Sequence, residues 1–152
     1  MVAPCAHDIA AGWRAPAEPA DIYRLGQQAV TPWGYRAPMT VALFAGIRVR
    51  DLTAARAWYE RLLGEPSFFP NATEIVWILG DDRSLYIEED PRGAGGALIT
   101  VFVDDLDARI SEISSRGLEP AERETYSNGV RKATYRDGDG NEVGFGGAPR
   151  DD

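Results

Sequence analysis

Polar and apolar positions in this chain alternate, change period, and alternate again, and the whole cycle occurs twice. From Phe44 to Val49, Ile47 and Val49 fall on one side while Phe44, Gly46 and Arg48 fall on the other, the period of two that a half-buried strand requires. From Leu52 the spacing becomes helical, with Leu52, Ala55, Tyr59, Leu62 and Leu63 on one stripe. A second copy begins 54 residues later at Leu98. There Ile99, Val101 and Val103 oppose Leu98, Thr100 and Phe102, and Leu106, Ile110 and Ile113 form the helical stripe. Val49, Asp51, Leu52, Ala54 and Glu65-Pro66 recur in register as Val103, Asp105, Leu106, Ala108 and Glu119-Pro120. A repeat of this kind implies two copies of one supersecondary unit.

Local signals mark the ends of each element. Asp51 and Asp105 suit the N-cap of the two helices, and Gly64 and Gly117 the left-handed position that ends them. After the first helix, Glu74–Leu79 and Ser84–Glu88 read as strands joined through Gly80-Asp81-Asp82. After the second, Arg131–Arg136 and Glu142–Gly146 flank Asp137-Gly138-Asp139-Gly140-Asn141. One more strand fits at Ser67–Phe69 and another at about Ala121–Tyr126. The chain therefore predicts an α+β fold of two βαβββ modules, at 39–92 and 97–148, joined by a Gly-rich linker at 93–96 and followed by a tail at 149–152. Residues 1–38 carry Pro4, Pro16, Pro19, Pro32 and Pro38, so they read as a partly flexible extension in which only Asp21–Ala29 has helical character.

Three stretches together resemble the vicinal oxygen chelate superfamily: Ile47-Arg48-Val49-Arg50-Asp51-Leu52, the helix ending Trp58-Tyr59-Glu60-Arg61-Leu62-Leu63-Gly64, and the late Asp-Gly-Asp-Gly-Asn turn. That superfamily includes glyoxalase I, extradiol dioxygenases, and fosfomycin and bleomycin resistance proteins. The resemblance covers about residues 41 to 147. It implies two modules side by side, their strands forming an open, barrel-like sheet around a cleft with the helices outside. It also implies that modules pair across chains in a homodimer.

The resemblance assigns metal ligands to the start of the first strand and to the last strand of each module, and here the sequence departs. Those places read Phe44, Leu98 and Gly144, none of which offers imidazole, thiolate or oxygen. The fourth falls on Ser84–Glu88, where Glu88 is the one carboxylate. A single carboxylate is too few donors for a divalent cation. The expectation is a protein without metal or other cofactor. Cys5-Ala6-His7-Asp8 in the extension has no second ligand pair, and the modules hold no His, which excludes a Ser-His or Cys-His pair within them. Asp137, Asp139 and Asn141 imitate the start of a calcium loop, but Glu142 stands where its Gly belongs and Ala148 where its closing Glu belongs.

Composition narrows the partners. Net charge is −8, and residues 1–38 hold three acidic against three Arg side chains, so the excess lies in the modules. An acidic surface repels phosphate backbones and argues against nucleic acid. No apolar run reaches membrane-spanning length, and one Cys forms no internal disulfide, so a cytoplasmic location is expected.

Alternation gives the cleft Phe44, Gly46, Arg48, Leu98, Thr100 and Phe102 from first strands, and Tyr86, Glu88, Glu142 and Gly144 from last strands, if Leu85 and Ile87 pack under the helix. Trp58, Trp77, Arg131 and Tyr135 are further candidates of uncertain face, and Arg48 and Glu88 are charges that can pair with each other. The set describes a small-molecule pocket with aromatic walls and few polar groups. The leading expectation is metal-independent binding of an aromatic small molecule in the cleft between the modules; the acidic charge would attract a cationic one, and equally serves as an ordinary solubilising surface. The alternatives are an isomerase or lyase using Glu88, Tyr86 or Glu142 as acid or base, and a structural dimer whose cleft its own side chains fill.

Overall fold

Parallel pairing of the first strand of each copy with the last strand of that copy sets the architecture. The structure is a computed structural model that describes residues 42–150. The readings made for residues 1–38, including Asp21–Ala29 and the Cys5 to Asp8 cluster, lie outside the described residues. In the first copy β1 (Leu43–Val49) leads into α1 (Leu52–Leu63), then β2 (Phe68–Asn71), β3 (Glu74–Gly80) and β4 (Arg83–Glu89). In the second, β5 (Leu98–Phe102) leads into α2 (Leu106–Ser115), then β6 (Glu122–Thr125), β7 (Arg131–Arg136) and β8 (Glu142–Gly147). The strands form two open four-stranded sheets of order β1-β4-β3-β2 and β5-β8-β7-β6, neither closed into a barrel. β1 runs parallel to β4 and β5 parallel to β8, and in each copy the helix with the two strands after it makes the long connection that such pairing requires. Among the described residues no helix is long and apolar enough to cross a membrane.

The caps are those the sequence announces. The Asp51 carboxylate accepts from the Ala54 N–H at 2.8 Å, and Asp105 accepts from Ala108 at 2.9 Å. Each satisfies a donor that the first turn leaves open. Gly64 takes φ 88° directly after α1, a conformation that an L side chain resists. The freed carbonyls of Arg61 and Leu62 receive the Arg116 guanidinium at 2.7 and 3.1 Å, so the end of one helix is closed from the end of the other.

One core serves both sheets. Ile47, Val49, Ile75, Trp77, Leu85 and Ile87 of the first sheet and Ala133, Tyr135, Val143 and Phe145 of the second are buried with Tyr59 and Leu62 of α1 and Leu106 and Ile113 of α2. Two of the sequence candidates for the site, Trp77 and Tyr135, are thereby core residues, and Trp58 is half-buried against them. Trp77 donates from Nε1 to the Gly64 carbonyl at 2.9 Å, which fixes the indole beneath α1. The Tyr135 hydroxyl has no hydrogen-bond partner among the described residues.

A buried polar network ties the copies together. Asn141 is fully buried; its amide donates to the Arg48 carbonyl at 2.9 Å and to Asp137 Oδ2 at 2.8 Å, while its Oδ1 accepts from the Ala97 N–H at 3.0 Å. Asp137 accepts the Tyr59 hydroxyl at 2.9 Å and the N–H groups of Asp139 and Asn141 at 2.9 and 2.8 Å. Asp139 accepts the Arg50 N–H at 2.8 Å. The turn of the second copy thus grips the end of β1 and the middle of α1 in the first. A half-satisfied network of this kind is worse than an apolar core, and here each named polar atom is used.

Burial first, then the Asp137 charge and hydrogen bond, and then Asp139, push the Tyr59 phenol far above its ordinary value of 10.0. The folded state therefore keeps a proton that the unfolded chain loses above about pH 10. Stability from this group is fully present below that pH and falls as pH rises past it, by about 1.4 kcal/mol per unit. Urea unfolding between pH 9 and 11.5 is expected to show that decline, and Tyr59→Phe to flatten it by about one proton's worth; an unchanged slope in the variant would mean Tyr59 does not carry it.

Candidate functional site

The faces of the sheets turned away from the helices carry the polar side chains, and the registers arrange them in rows. On the first sheet, Phe44, Ser84 and Ile78 form one row, Gly46, Tyr86, Val76 and Phe68 the next, and Arg48, Glu88 and Glu74 the third. Leu85 and Ile87 are buried on the opposite side. The open face therefore passes from apolar to charged along β1.

Gly46 makes the middle row possible. A Cβ built on it would fall on the Tyr86 ring, so the ring lies flat across the strand only because no side chain is there. Phe44 stacks on the same ring, centroids 4.5 Å apart and planes 27° apart, leaving an aromatic pair beside the charged row. Burial raises the Tyr86 phenol above its ordinary range, with Glu88 and then Glu74 adding to the shift and Arg48 opposing it. The shift favours the protonated phenol, which can donate a hydrogen bond.

The charged row is unbalanced. Arg48 and Glu88 are register partners, yet the guanidinium turns to Asp90, at 3.4 Å, and the pairing open to them in the sequence does not form. Glu74 stands directly across the β3–β4 ladder from Glu88 and accepts from Asn71 at 2.8 Å. Like charges in opposed positions repel. Glu88 is left half-buried with no hydrogen bond or ion pair among the described residues.

A cavity of about 380 Å³ opens over this row, within the range of small-molecule sites. Gly46, Arg48, Tyr86, Glu88 and Asn141 line it, together with backbone of the linker from Gly93 to Ala97. The linker lies close because it is glycine: a Cβ on Gly95 would sit 2.6 Å from the Asp139 carbonyl oxygen. A larger depression of about 480 Å³ beside the end of α1 is a weaker candidate, since its arginines are already engaged, Arg56 with Glu60 at 2.6 Å and Arg116 with the carbonyls of α1.

Four of the sequence candidates, Gly46, Arg48, Tyr86 and Glu88, thus meet at one cavity, with Phe44 stacked at its edge. Leu98, Thr100, Phe102, Gly144 and Glu142 lie on the open face of the second sheet and line neither depression. Glu142 is bound by Arg136 at 2.6 Å, and Arg131 pairs with Asp107 at 2.8 Å. Alternation alone does not find Asn141 or the linker glycines, because they reach the cavity through turn backbone; the polar turn itself was the available signal. The places that the resemblance gives to a metal hold Phe44, Leu98 and Gly144 with Glu88 alone as donor, which does not fit a divalent ion. Among the described residues no three His, Cys, Asp or Glu side chains form a group able to hold one.

No protein-family profile matches the chain, and no curated protein does. Solved structures do. A glyoxalase/bleomycin resistance protein from Catenulispora acidiphila DSM 44928 is 55% identical over 72% of this chain and all of its own length, with a TM-score of 0.69. A bleomycin-binding protein complexed with bleomycin is 21% identical over 74% of this chain and all of its own, at TM-score 0.59. A lactoylglutathione lyase from Agrobacterium tumefaciens is 21% identical over 73% of this chain and 96% of its own, at TM-score 0.57. The last two share the fold.

Gly46→Ala drives a methyl group into the Tyr86 ring and is expected to destabilise the protein by about 1–3 kcal/mol, the usual cost of overpacking. In the background of Tyr86→Ala the same substitution should cost far less. A double-mutant cycle by urea unfolding reads the coupling; additive effects would show that the ring does not depend on the glycine.

Proposed function

The chain belongs to the glyoxalase/bleomycin resistance protein family, and we propose on that footing that it binds an aromatic, cationic small molecule at the open face of its first sheet without a metal. The observation that carries the reading is Glu88: a carboxylate opposed to a second one, unpaired among the described residues, and facing a cavity of about 380 Å³. A ligand ammonium or guanidinium supplies the missing partner, and charge-assisted contacts of this sort are the stronger hydrogen bonds. The stacked Phe44 and Tyr86 rings offer an aromatic flank, and the Tyr86 hydroxyl a donor. The overall charge of −8 favours a cation and disfavours a polyanion such as nucleic acid. Binding of bleomycin by a protein of the same fold agrees in kind.

The metal-independent part of the reading rests on the donor set, since Phe44, Leu98 and Gly144 have nothing to coordinate with. A homodimer belongs to the same proposal. Leu43, Phe44 and Ile78 are 64%, 42% and 43% exposed around the apolar end of the first sheet, a grouping that a second copy would cover.

Calorimetric titration with a planar aromatic cation tests the binding. Affinity is expected to survive chelator and to fall about tenfold or more in Glu88→Gln, which keeps shape and removes charge. Undiminished affinity in that variant would remove Glu88 from the site, and loss of binding in chelator would restore a metal. Sedimentation equilibrium checks the assembly: a dimer is expected, and a monomer at high concentration would overturn it.

A further inference from the structure

Fold and chemistry make opposite demands on the turn between β6 and β7. The Gly129 N–H donates to the Tyr126 carbonyl and the Tyr126 N–H to the Val130 carbonyl, each at 2.8 Å, which closes a hairpin loop over residues 126–130. Position 129 takes φ 83°, the left-handed conformation that selects glycine, and a Cβ there would also stand 2.9 Å from the Pro149 side chain. Position 128 suits a short polar side chain, and the Asn128 Oδ1 accepts from the Val130 N–H at 3.1 Å. The turn thus writes Asn-Gly into the chain at an exposed position. In that pair no side chain on the second residue shields its backbone nitrogen from the carboxamide of the first.

The chain has three asparagines, and the structure sets this one apart. Asn71 and Asn141 have both ends of the amide engaged. Asn71 donates to Glu74 at 2.8 Å and accepts from Thr73, while the buried Asn141 donates to Arg48 and Asp137 and accepts from Ala97. They precede Ala72 and Glu142, whose Cβ atoms crowd the nitrogen that would attack. The Asn128 amide nitrogen makes no hydrogen bond among the described residues, so nothing holds it as a leaving group. The bond that Asn128 does make assists the reaction, because an N–H aimed at Oδ1 stabilises negative charge developing on that oxygen. The Gly129 N–H must first leave Tyr126, and a four-residue edge strand running into an exposed loop opens at little cost.

We propose that Asn128 is a site of intramolecular deamidation. The Gly129 nitrogen loses its proton to solvent base and attacks Cγ of Asn128; the new N–Cγ bond closes a succinimide ring as the Cγ–Nδ2 bond breaks and ammonia leaves. Water then opens the ring. Opening at Cγ gives aspartate, and opening at the main-chain carbonyl gives isoaspartate, with the chain rerouted through the side chain. Either product adds a negative charge next to a strand that already carries Glu122 and Glu124. Aspartate can still accept from Val130, whereas isoaspartate has its side-chain carbon in the main chain and gives that bond up, which loosens the edge of the second sheet. None of these residues lines the cavity at Glu88, so the inference does not rest on the reading of that site.

Incubation of the full folded chain at mildly alkaline pH, with samples digested by trypsin at intervals, tests the assignment. The peptide Glu124–Arg131 is expected to gain the mass of an amide-to-acid exchange at least about tenfold faster than the peptides holding Asn71 and Asn141. Enzymatic methyl labelling specific for isoaspartate should fall on the same peptide. Asn128→Asp should take no such label and unfold at the temperature of the fresh chain, while the isoaspartate fraction, separated by ion exchange, unfolds lower. A folded chain that keeps Asn128 while the urea-unfolded chain loses it overturns the proposal, since the hairpin would then prevent the reaction. So does exchange at Asn128 without isoaspartate, which would mean direct hydrolysis of the amide.

Discussion

The hydrogen bond from the Asn141 side-chain amide to the Arg48 carbonyl spans 93 residues of chain, and the joining of the two copies depends on it. β1 would otherwise end with an unused carbonyl at the edge of the charged row. Because Asn141 also holds Ala97 and Asp137, a single side chain fixes the end of one sheet, the start of the other and the turn between the last two strands. Tyr59 extends the network into α1. That amide ties the end of β1 at Arg48 to the start of the second copy at Ala97, and both border the cavity. Removing one member of so closed a set strands its neighbours without partners, which is why such networks specify one arrangement and not several.

Around this anchor, absent side chains shape the surface as much as present ones. Gly46 lets Tyr86 lie down, Gly144 does the same for Lys132, and Gly146 for Phe102. The copies use the device in opposite senses. In the first sheet the glycine is on β1 and the bulk on β4; in the second, glycines are on β8 and the larger residues on β5 and β7. One duplicated scaffold thereby presents a face with a free carboxylate and another with a free ammonium.

Much of the fold was legible because binary pattern and caps agree at each step. Ile47 and Val49, Leu85 and Ile87, and Val143 and Phe145 alternate cleanly, and Asp51 and Asp105 sit where a first turn needs an acceptor. The site was less legible for reasons of range. Register partners do not determine ion pairs: Arg48 is opposite Glu88 yet takes Asp90, a choice made by side-chain rotamer and loop path. Aromatic residues do not declare their burial either, so Trp77 and Tyr135 suited a cleft as well as a core until the packing decided. Asn141 read as one more turn residue, since what distinguishes it is a partner on a remote strand.

Parallel closure of each sheet has a kinetic side. β1 meets β4, and β5 meets β8, only after the intervening helix and hairpin exist, so the contacts that finish each sheet are among its longest loops to close. The bond between Asn141 and Arg48 is longer in range than either, since it joins the ends of both sheets. The cavity takes its lining from β1, β4, the linker and the turn before β8, so it needs both copies in place, and a ligand held there would stabilise the native state. Occupancy of such a cavity would be linked to folding, and the long-range contacts around it would be the ones a bound ligand protects.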